Sequence, residues 1–266
     1  MNKMMKLAPL FSIIAGYMIV NTAVADIQSE VVNYQVAGKP FQGYLSYDDT
    51  IAGKRPGVLV VHEWWGHNEY VRKRADMLAK MGYTAFALDM YGTGKLAEHP
   101  DDAKKFMQAT SANMKVTEAR FNEAKQLLQK RPTVDPGKIA AIGYCFGGGT
   151  ILHMARSGAN LAGAVSFHGS LTTKTPAQRD QVKAKILVLN GADDPFVTAE
   201  QIAAFKQEMQ RAGADLDFVS YPGVKHSFTN PDADSYGKRF NMPLEYNAEA
   251  DKDSWGRMQQ FLKQVF

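Results

Sequence analysis

The sequence predicts an α/β domain: a mainly parallel, twisted sheet of about eight strands, helices on both faces and an antiparallel hairpin along its N-terminal edge. Three observations predict it. From Pro56 onward, short apolar or β-branched runs alternate with amphipathic stretches, the rhythm of repeated strand-helix units. Those runs are continuously apolar, as strands covered on both faces require. Before Pro56 the pattern changes to two alternating segments around a turn, the pattern of a hairpin.

Taken in order, "VVNYQVAGKPFQGYLSY" reads as the hairpin, with Gly38-Lys39-Pro40 as its turn. "PGVLVVH" is the first parallel strand, followed by a helix over about 68–81. "TAFALDM" is the next strand, and "YGTGKLAEHPDDAKKF" after it is a polar excursion that overhangs the strand ends. A helix over about 113–130 follows, its apolar stripe read as Val116, Ala119, Ala124, Leu127 and Leu128. "KIAAIGY" leads into a helix over 147–156, and "LAGAVSFH", "KILVLN" and "DLDFVSY" supply three more strands. Helices over about 198–212 and 248–265 complete the chain.

A chain of 266 residues, 45% hydrophobic and 22% charged, is long enough to bury a large core. Residues 1–25 read as a cleaved secretory signal: Lys3 and Lys6 precede the apolar stretch from Leu7 to Val20, and Ala23-Val24-Ala25 precedes Asp26. Ser12, Gly16 and Tyr17 interrupt that stretch, which is short for a membrane span. The expected location is therefore the periplasm or outside the cell, with no membrane attachment after cleavage. No Pro/Gly/Ser-rich linker or repeat divides residues 26–266, which are expected to form one domain and a monomer. Loss of Lys3 and Lys6 lowers the formal net charge from +4 to about +2, too little to suggest nucleic acid.

The only cysteine, Cys145, lies in Gly143-Tyr144-Cys145-Phe146-Gly147, where a strand gives way to a helix. That is the nucleophile-elbow pattern G-x-S-x-G with sulfur in place of oxygen. An exported protein normally pairs its cysteines, so a lone thiol is either buried and inert or kept for its reactivity. Small neighbours let the backbones pass closely at such a turn, and the helix N-terminus beyond it favours a thiolate or an oxyanion.

"LVLNGADDPFV" places Asp193 and Asp194 just beyond one strand, and "VSYPGVKHSF" places His226 beyond the next. Nucleophile, acid, histidine is the chain order of α/β-hydrolases, and sites of such sheets lie outside the carboxyl ends of the strands. His226 would take the thiol proton and later deliver one to the leaving group, while a carboxylate fixes its tautomer. Spacing from Gly191 favours Asp194 over Asp193, which also suits a turn.

"HEWWGHNEYVR" follows the first parallel strand. The amides of Trp64 and Phe146 are the expected oxyanion donors, one from this loop and one after the nucleophile. His62, Glu63 and His67 resemble part of the zinc motif H-E-x-x-H, but the histidines are five apart and Gly66 interrupts any helix, so no metal and no cofactor is expected. Trp65, Tyr91, Tyr144, His168 and Phe196 are the expected pocket walls, with packing an equal alternative for one of the tryptophans.

Together "VHEWWGHNEYVRKRADMLAKMGYTAFALDMYG", "IGYCFGGG", "NGADDPFV" and "YPGVKHSF" resemble the dienelactone hydrolase (carboxymethylenebutenolidase) family over roughly 28–266. The resemblance implies an α/β-hydrolase fold, a Cys145-His226-Asp194 triad, and a small ester or lactone as substrate. It also implies that Glu63 holds the resting thiol and helps to generate the thiolate when substrate binds. Such an arrangement would protect the sulfur from oxidation outside the cytoplasm. The family's arginines for a substrate carboxylate have no counterpart in "DMYGTG" or "HSFTN". The bidentate clamp is missing at both places, with Lys95, Lys225 and Arg239 the candidate substitutes, so a different ester or lactone is expected. The competing functions are acyl or thioester transfer on the same triad, and thiol redox or binding on a hydrolase scaffold.

Overall fold

The computed structural model describes Met1 and residues 26–266, so the expected signal segment lies outside the described residues apart from Met1. Strands β1 (Ile27–Val36) and β2 (Lys39–Asp48) form the hairpin. Then come β3 (Arg55–Val61), α1 (Glu69–Ala79), β4 (Thr84–Leu88), α2 (Pro100–Ser111), α3 (Met114–Gln129) and β5 (Val134–Tyr144). The second half comprises α4 (Phe146–Arg156), β6 (Gly163–Phe167), β7 (Lys185–Gly191), α5 (Ala199–Ala212), β8 (Leu216–Tyr221), α6 (Ala233–Phe240) and α7 (Ala248–Val265).

All strands join one eight-stranded sheet in the order β1-β2-β4-β3-β5-β6-β7-β8. The β1–β2 and β2–β4 pairs are antiparallel, and every other pair is parallel. The chain leaves β3 for β4 on one side and reaches β5 on the other, so the winding reverses beside β3. In sheets of this kind a crevice opens at that reversal, outside the carboxyl ends of the strands.

Burial on both faces explains the continuous apolar runs. In β3, Val58 and Val60 pack into the core beneath α1 and α7, while Leu59 and Val61 enter the opposite core with Phe121, Leu128 and Ile151. All four valine and leucine side chains are fully buried.

Local physics moves several expected boundaries. The hairpin turns at Ala37-Gly38, both at positive φ (49° and 75°), a two-residue turn whose twist matches that of the strands. Lys39 and Pro40, expected in the turn, instead begin β2 opposite Val36 and Gln35. The stripe of α3 is Thr117, Phe121, Ala124 and Leu128, and Val116 is exposed. Thr117 replaces it because its hydroxyl donates to the Thr110 carbonyl, satisfying the polar atom on burial. The excursion after β4 contains α2, started by Pro100 at its first turn and by the His99 ring accepting from the Asp101 amide. No helix among the described residues is long and apolar enough to cross a membrane.

Candidate active site

The elbow is built by close backbone approach. A Cβ on Gly143 would overlap the Gly147 carbonyl, and one on Gly147 would overlap the Val61 carbonyl of β3. Only glycine lets β5, α4 and β3 meet there. Cys145 sits at the N-cap of α4 with φ 53° and ψ −115°, a strained conformation for a residue with a side chain. Its amide donates to the Phe167 carbonyl at 3.0 Å and to Nδ1 of His168 at 3.1 Å. The side chain is half-buried and unpaired by any disulfide.

Two loops converge on this elbow. After β7, Asp194 is buried and accepts from the Phe196 amide through Oδ1 (2.8 Å), leaving Oδ2 for Nδ1 of His226 at 2.7 Å. Neighbouring Asp193 turns outward and accepts from the Gly223 amide at 3.1 Å. After β8, His226 is buried with Nδ1 committed to Asp194. Burial works against its charge. The nearby charge of Cys145 and the hydrogen bond with Asp194 outweigh that penalty and push His226 up to about 10.

Glu63, after β3, is buried, and burial raises its pKa. Its Oε1 accepts from the Ser227 hydroxyl at 3.2 Å and its Oε2 from the Asn230 amide at 2.6 Å. The contact with the thiol that the family resemblance implies is not formed: both oxygens face the loop that carries His226. Within "HSFTN", Thr229 and Asn230 anchor that loop, through His168 and Glu63.

Four of the expected pocket walls are buried. Tyr144 is fully buried in the core, stacked on Phe167 with ring centroids 4.6 Å apart, because β5 directs it beneath the sheet. Trp65 is buried against Tyr236 and Phe240 of α6, which sequence periodicity did not predict. His168 is fully buried behind the elbow, between the Cys145 amide and Thr229 Oγ1 (2.9 Å). Burial first, then the charges of His226 and Arg74, hold it well below the ordinary histidine range. Tyr91 is buried against Phe146 and donates its hydroxyl to the Trp64 carbonyl at 3.2 Å. Phe196 alone of these stands out, 49% exposed, with its ring edge-on to His226 at 5.0 Å.

The Trp64 and Phe146 amides have no hydrogen-bond acceptor among the described residues, and that of Phe146 follows Cys145 at the start of α4. Of the candidate cations, Lys225 pairs with Glu245 at 2.7 Å and Arg239 lies over the Phe240 ring. His62 is fully buried with Nδ1 at the Glu63 carbonyl and Nε2 accepting from the Met90 amide, and His67 Nε2 donates to the Ala87 carbonyl. These histidines are spent on loop geometry rather than gathered around a common point.

A mostly parallel sheet with a strand-to-helix elbow, an acid after β7 and a histidine after β8 defines an α/β-hydrolase. The model of the dienelactone hydrolase family matches residues 41–266, and the chain belongs to that family. It is an ester or lactone hydrolase of that fold. It is similar to Protein usf of Aquifex pyrophilus, 31% identical over 206 residues that span 76% of this chain and 87% of that protein. Among solved structures, the one called m3DLH is 35% identical with a TM-score of 0.84, covering 90% of this chain and 99% of its own. A dienelactone-hydrolase-like promiscuous phosphotriesterase from metagenomic libraries is 33% identical, also with a TM-score of 0.84, covering 91% and 100%.

Proposed function

We propose that the protein is an exported, monomeric hydrolase that cleaves a small neutral ester or lactone through a thioester on Cys145. The observation that carries this reading is the buried Asp194–His226 hydrogen bond of 2.7 Å, with His226 close enough to Cys145 at the elbow for the charge of the sulfur to raise its pKa.

In the proposed reaction the Cys145 thiolate adds to the substrate carbonyl, and the oxyanion takes hydrogen bonds from the Trp64 and Phe146 amides. The C–O bond breaks as His226 gives its Nε2 proton to the departing alkoxide, leaving a thioester. With a lactone, the new alcohol stays tethered to the acyl group. Water then loses a proton to His226 as its oxygen adds to the thioester carbonyl, and the thiolate departs with the C–S electrons.

The raised pKa of His226 suits both halves. The Cys145 charge is its largest raising cause, so the imidazolium persists while the thiolate does. Acylation neutralises the sulfur and removes that contribution, returning His226 to a base for water. Asp194 fixes the ring throughout. Glu63 acts as a positioning residue, fastening the His226 loop to the end of β3 through Ser227 and Asn230.

The exposed Phe196 ring supplies an apolar wall next to the proposed base, and the segments "DMYGTG" and "HSFTN", where the family resemblance places arginines, carry none. A neutral acyl group is therefore favoured over a carboxylate-bearing one. The test is a panel of p-nitrophenyl esters and unsaturated lactones with wild type, Cys145→Ala and Cys145→Ser, together with mass spectrometry of the quenched enzyme. Turnover by wild type, its loss in Cys145→Ala and an acyl adduct on Cys145 are expected. Undiminished turnover in Cys145→Ala would overturn the mechanism.

A further inference from the structure

His62 follows β3 directly, is fully buried, and touches the surroundings of both backbone donors assigned to the oxyanion. Its ring stacks on Phe146 with centroids 5.8 Å apart and an interplanar angle of 30°, and meets Tyr91 edge-on at 4.7 Å. Its own carbonyl closes on α4, 2.7 Å from where a Cβ on Gly147 would stand. A leucine would fill such a space, so the ring nitrogens need a reason. Nε2 accepts from the Met90 amide at 3.1 Å, which in the neutral ring puts the proton on Nδ1, and Nδ1 donates to the Glu63 carbonyl at 2.5 Å. The ring stays neutral: burial holds its pKa below the ordinary histidine range, and a second ring proton would confront the Met90 N–H.

The Glu63 carbonyl also accepts from the Gly66 amide at 3.2 Å, closing the turn Glu63-Trp64-Trp65-Gly66. Two donors on that one oxygen fix the plane of the Glu63–Trp64 peptide. In a trans peptide the N–H points opposite to the C=O, so fixing the oxygen also fixes the direction of the Trp64 N–H. That N–H meets no acceptor among the described residues. The next peptide is held separately, by the Tyr91 hydroxyl on the Trp64 carbonyl at 3.2 Å.

We infer that His62 is a positioning residue for the oxyanion donors: its Nδ1 proton aims the Trp64 amide, and its ring supports Phe146 at the second donor. The inference rests on the proposed thioester chemistry and adds to it the side chain that presets the hole. Orientation matters because a donor aimed before reaction stabilises the oxyanion without reorganising as the charge forms. Held by the Gly66 amide alone, the peptide would be free to tilt, and the Trp64 N–H would lose its aim.

Two variants each keep one hydrogen bond of the ring. The Asn amide nitrogen stands where Nδ1 does, so His62→Asn keeps the donor to Glu63. The Gln amide oxygen reaches the Nε2 position, so His62→Gln keeps the acceptor for Met90. Pre-steady-state release of p-nitrophenolate from p-nitrophenyl acetate reads acylation of Cys145. Alkylation of Cys145 by iodoacetamide, in which the thiolate displaces iodide and no oxyanion forms, reads the thiolate without the hole. Acylation should fall at least about tenfold in His62→Gln and stay within about threefold of wild type in His62→Asn. Alkylation should stay within about twofold of wild type in both, whereas a merely structural defect would change both reactions. Unchanged acylation in His62→Gln, a fall in His62→Asn as large as in His62→Gln, or acylation and alkylation falling together would overturn the assignment. Wild type that alkylates at Cys145 yet releases no burst would instead overturn the thioester reading, and the assignment with it.

Discussion

The amide of Cys145 donates to Nδ1 of His168 at 3.1 Å, so the residue carrying the thiol is held by a histidine that never reaches the crevice. With Nδ1 accepting, the ring proton sits on Nε2 and is donated to Thr229 Oγ1, which also contacts the Tyr70 hydroxyl at 2.7 Å. Thr229 lies three residues beyond His226, and its carbonyl accepts from Arg74 at 2.6 Å. A single buried network thus links the strained elbow to the loop of the proposed base.

Replacing His168 should therefore disturb geometry more than binding. His168→Phe leaves the Thr229 hydroxyl without a ring partner and removes one of the two acceptors of the Cys145 amide. Stability should drop by about 1–3 kcal/mol, the usual cost of unsatisfied buried groups. On an ester substrate, kcat should fall roughly tenfold or more with KM changed less than about threefold. Denaturant melts and initial-rate kinetics check this, and a lowered stability with unchanged kcat would remove His168 from the positioning role.

The two adjacent aspartates should part sharply. Asp194→Asn removes the carboxylate that holds Nδ1 of His226 and should cut kcat by roughly 10³–10⁴-fold. Asp193→Asn keeps an acceptor for the exposed Gly223 amide and should stay within about twofold of wild type, its stability within ~0.5 kcal/mol. Comparable losses from both would show that the assignment of the acid is wrong.

Glycine at the elbow is required for space. Gly147→Ala drives a methyl group into the Val61 and His62 carbonyls, neither of which can move without breaking β3, and should cost about 2–4 kcal/mol. Gly256→Ala, in open space on α7, should instead stabilise by roughly 0.5–1 kcal/mol. Urea titrations of the two variants would settle the contrast by their opposite signs.

Stability should also follow the protonation of His226. Its folded pKa of about 10 exceeds the ordinary 6.5, so between those values the folded chain binds more protons than the unfolded chain. The contribution is complete below 6.5, declines as pH rises and is lost above about 10. Cys145→Ala removes the leading raising cause, so its melting temperature should fall less steeply than that of wild type across this interval. Parallel curves would mean that the thiol and imidazole are not coupled.

The parallel strands were legible because each is buried on both faces and therefore continuously apolar. The elbow was legible because only glycine tolerates its backbone contacts. The helix α6 escaped because its eight residues are too few for a periodicity to emerge, and α2 because its polar first turn resembles a loop. The roles of Thr229 and Asn230 in "HSFTN" were not legible either, because their partners, His168 and Glu63, lie at sequence separations of 61 and 167.

By itself, then, the sequence determined the doubly covered sheet, the elbow at Cys145 and the order of thiol, acid and histidine, all features written in local spacing and side-chain size. Only the tertiary structure decided that Tyr144, Trp65 and His168 are buried supports, and that Glu63 turns to Ser227 and Asn230, while the preference for Asp194 over Asp193 was already present in the spacing from Gly191. Those choices depend on which way a side chain leaves a loop and which distant groups meet it there, and hydrogen-bond satisfaction in a buried space selects among orientations that spacing leaves open.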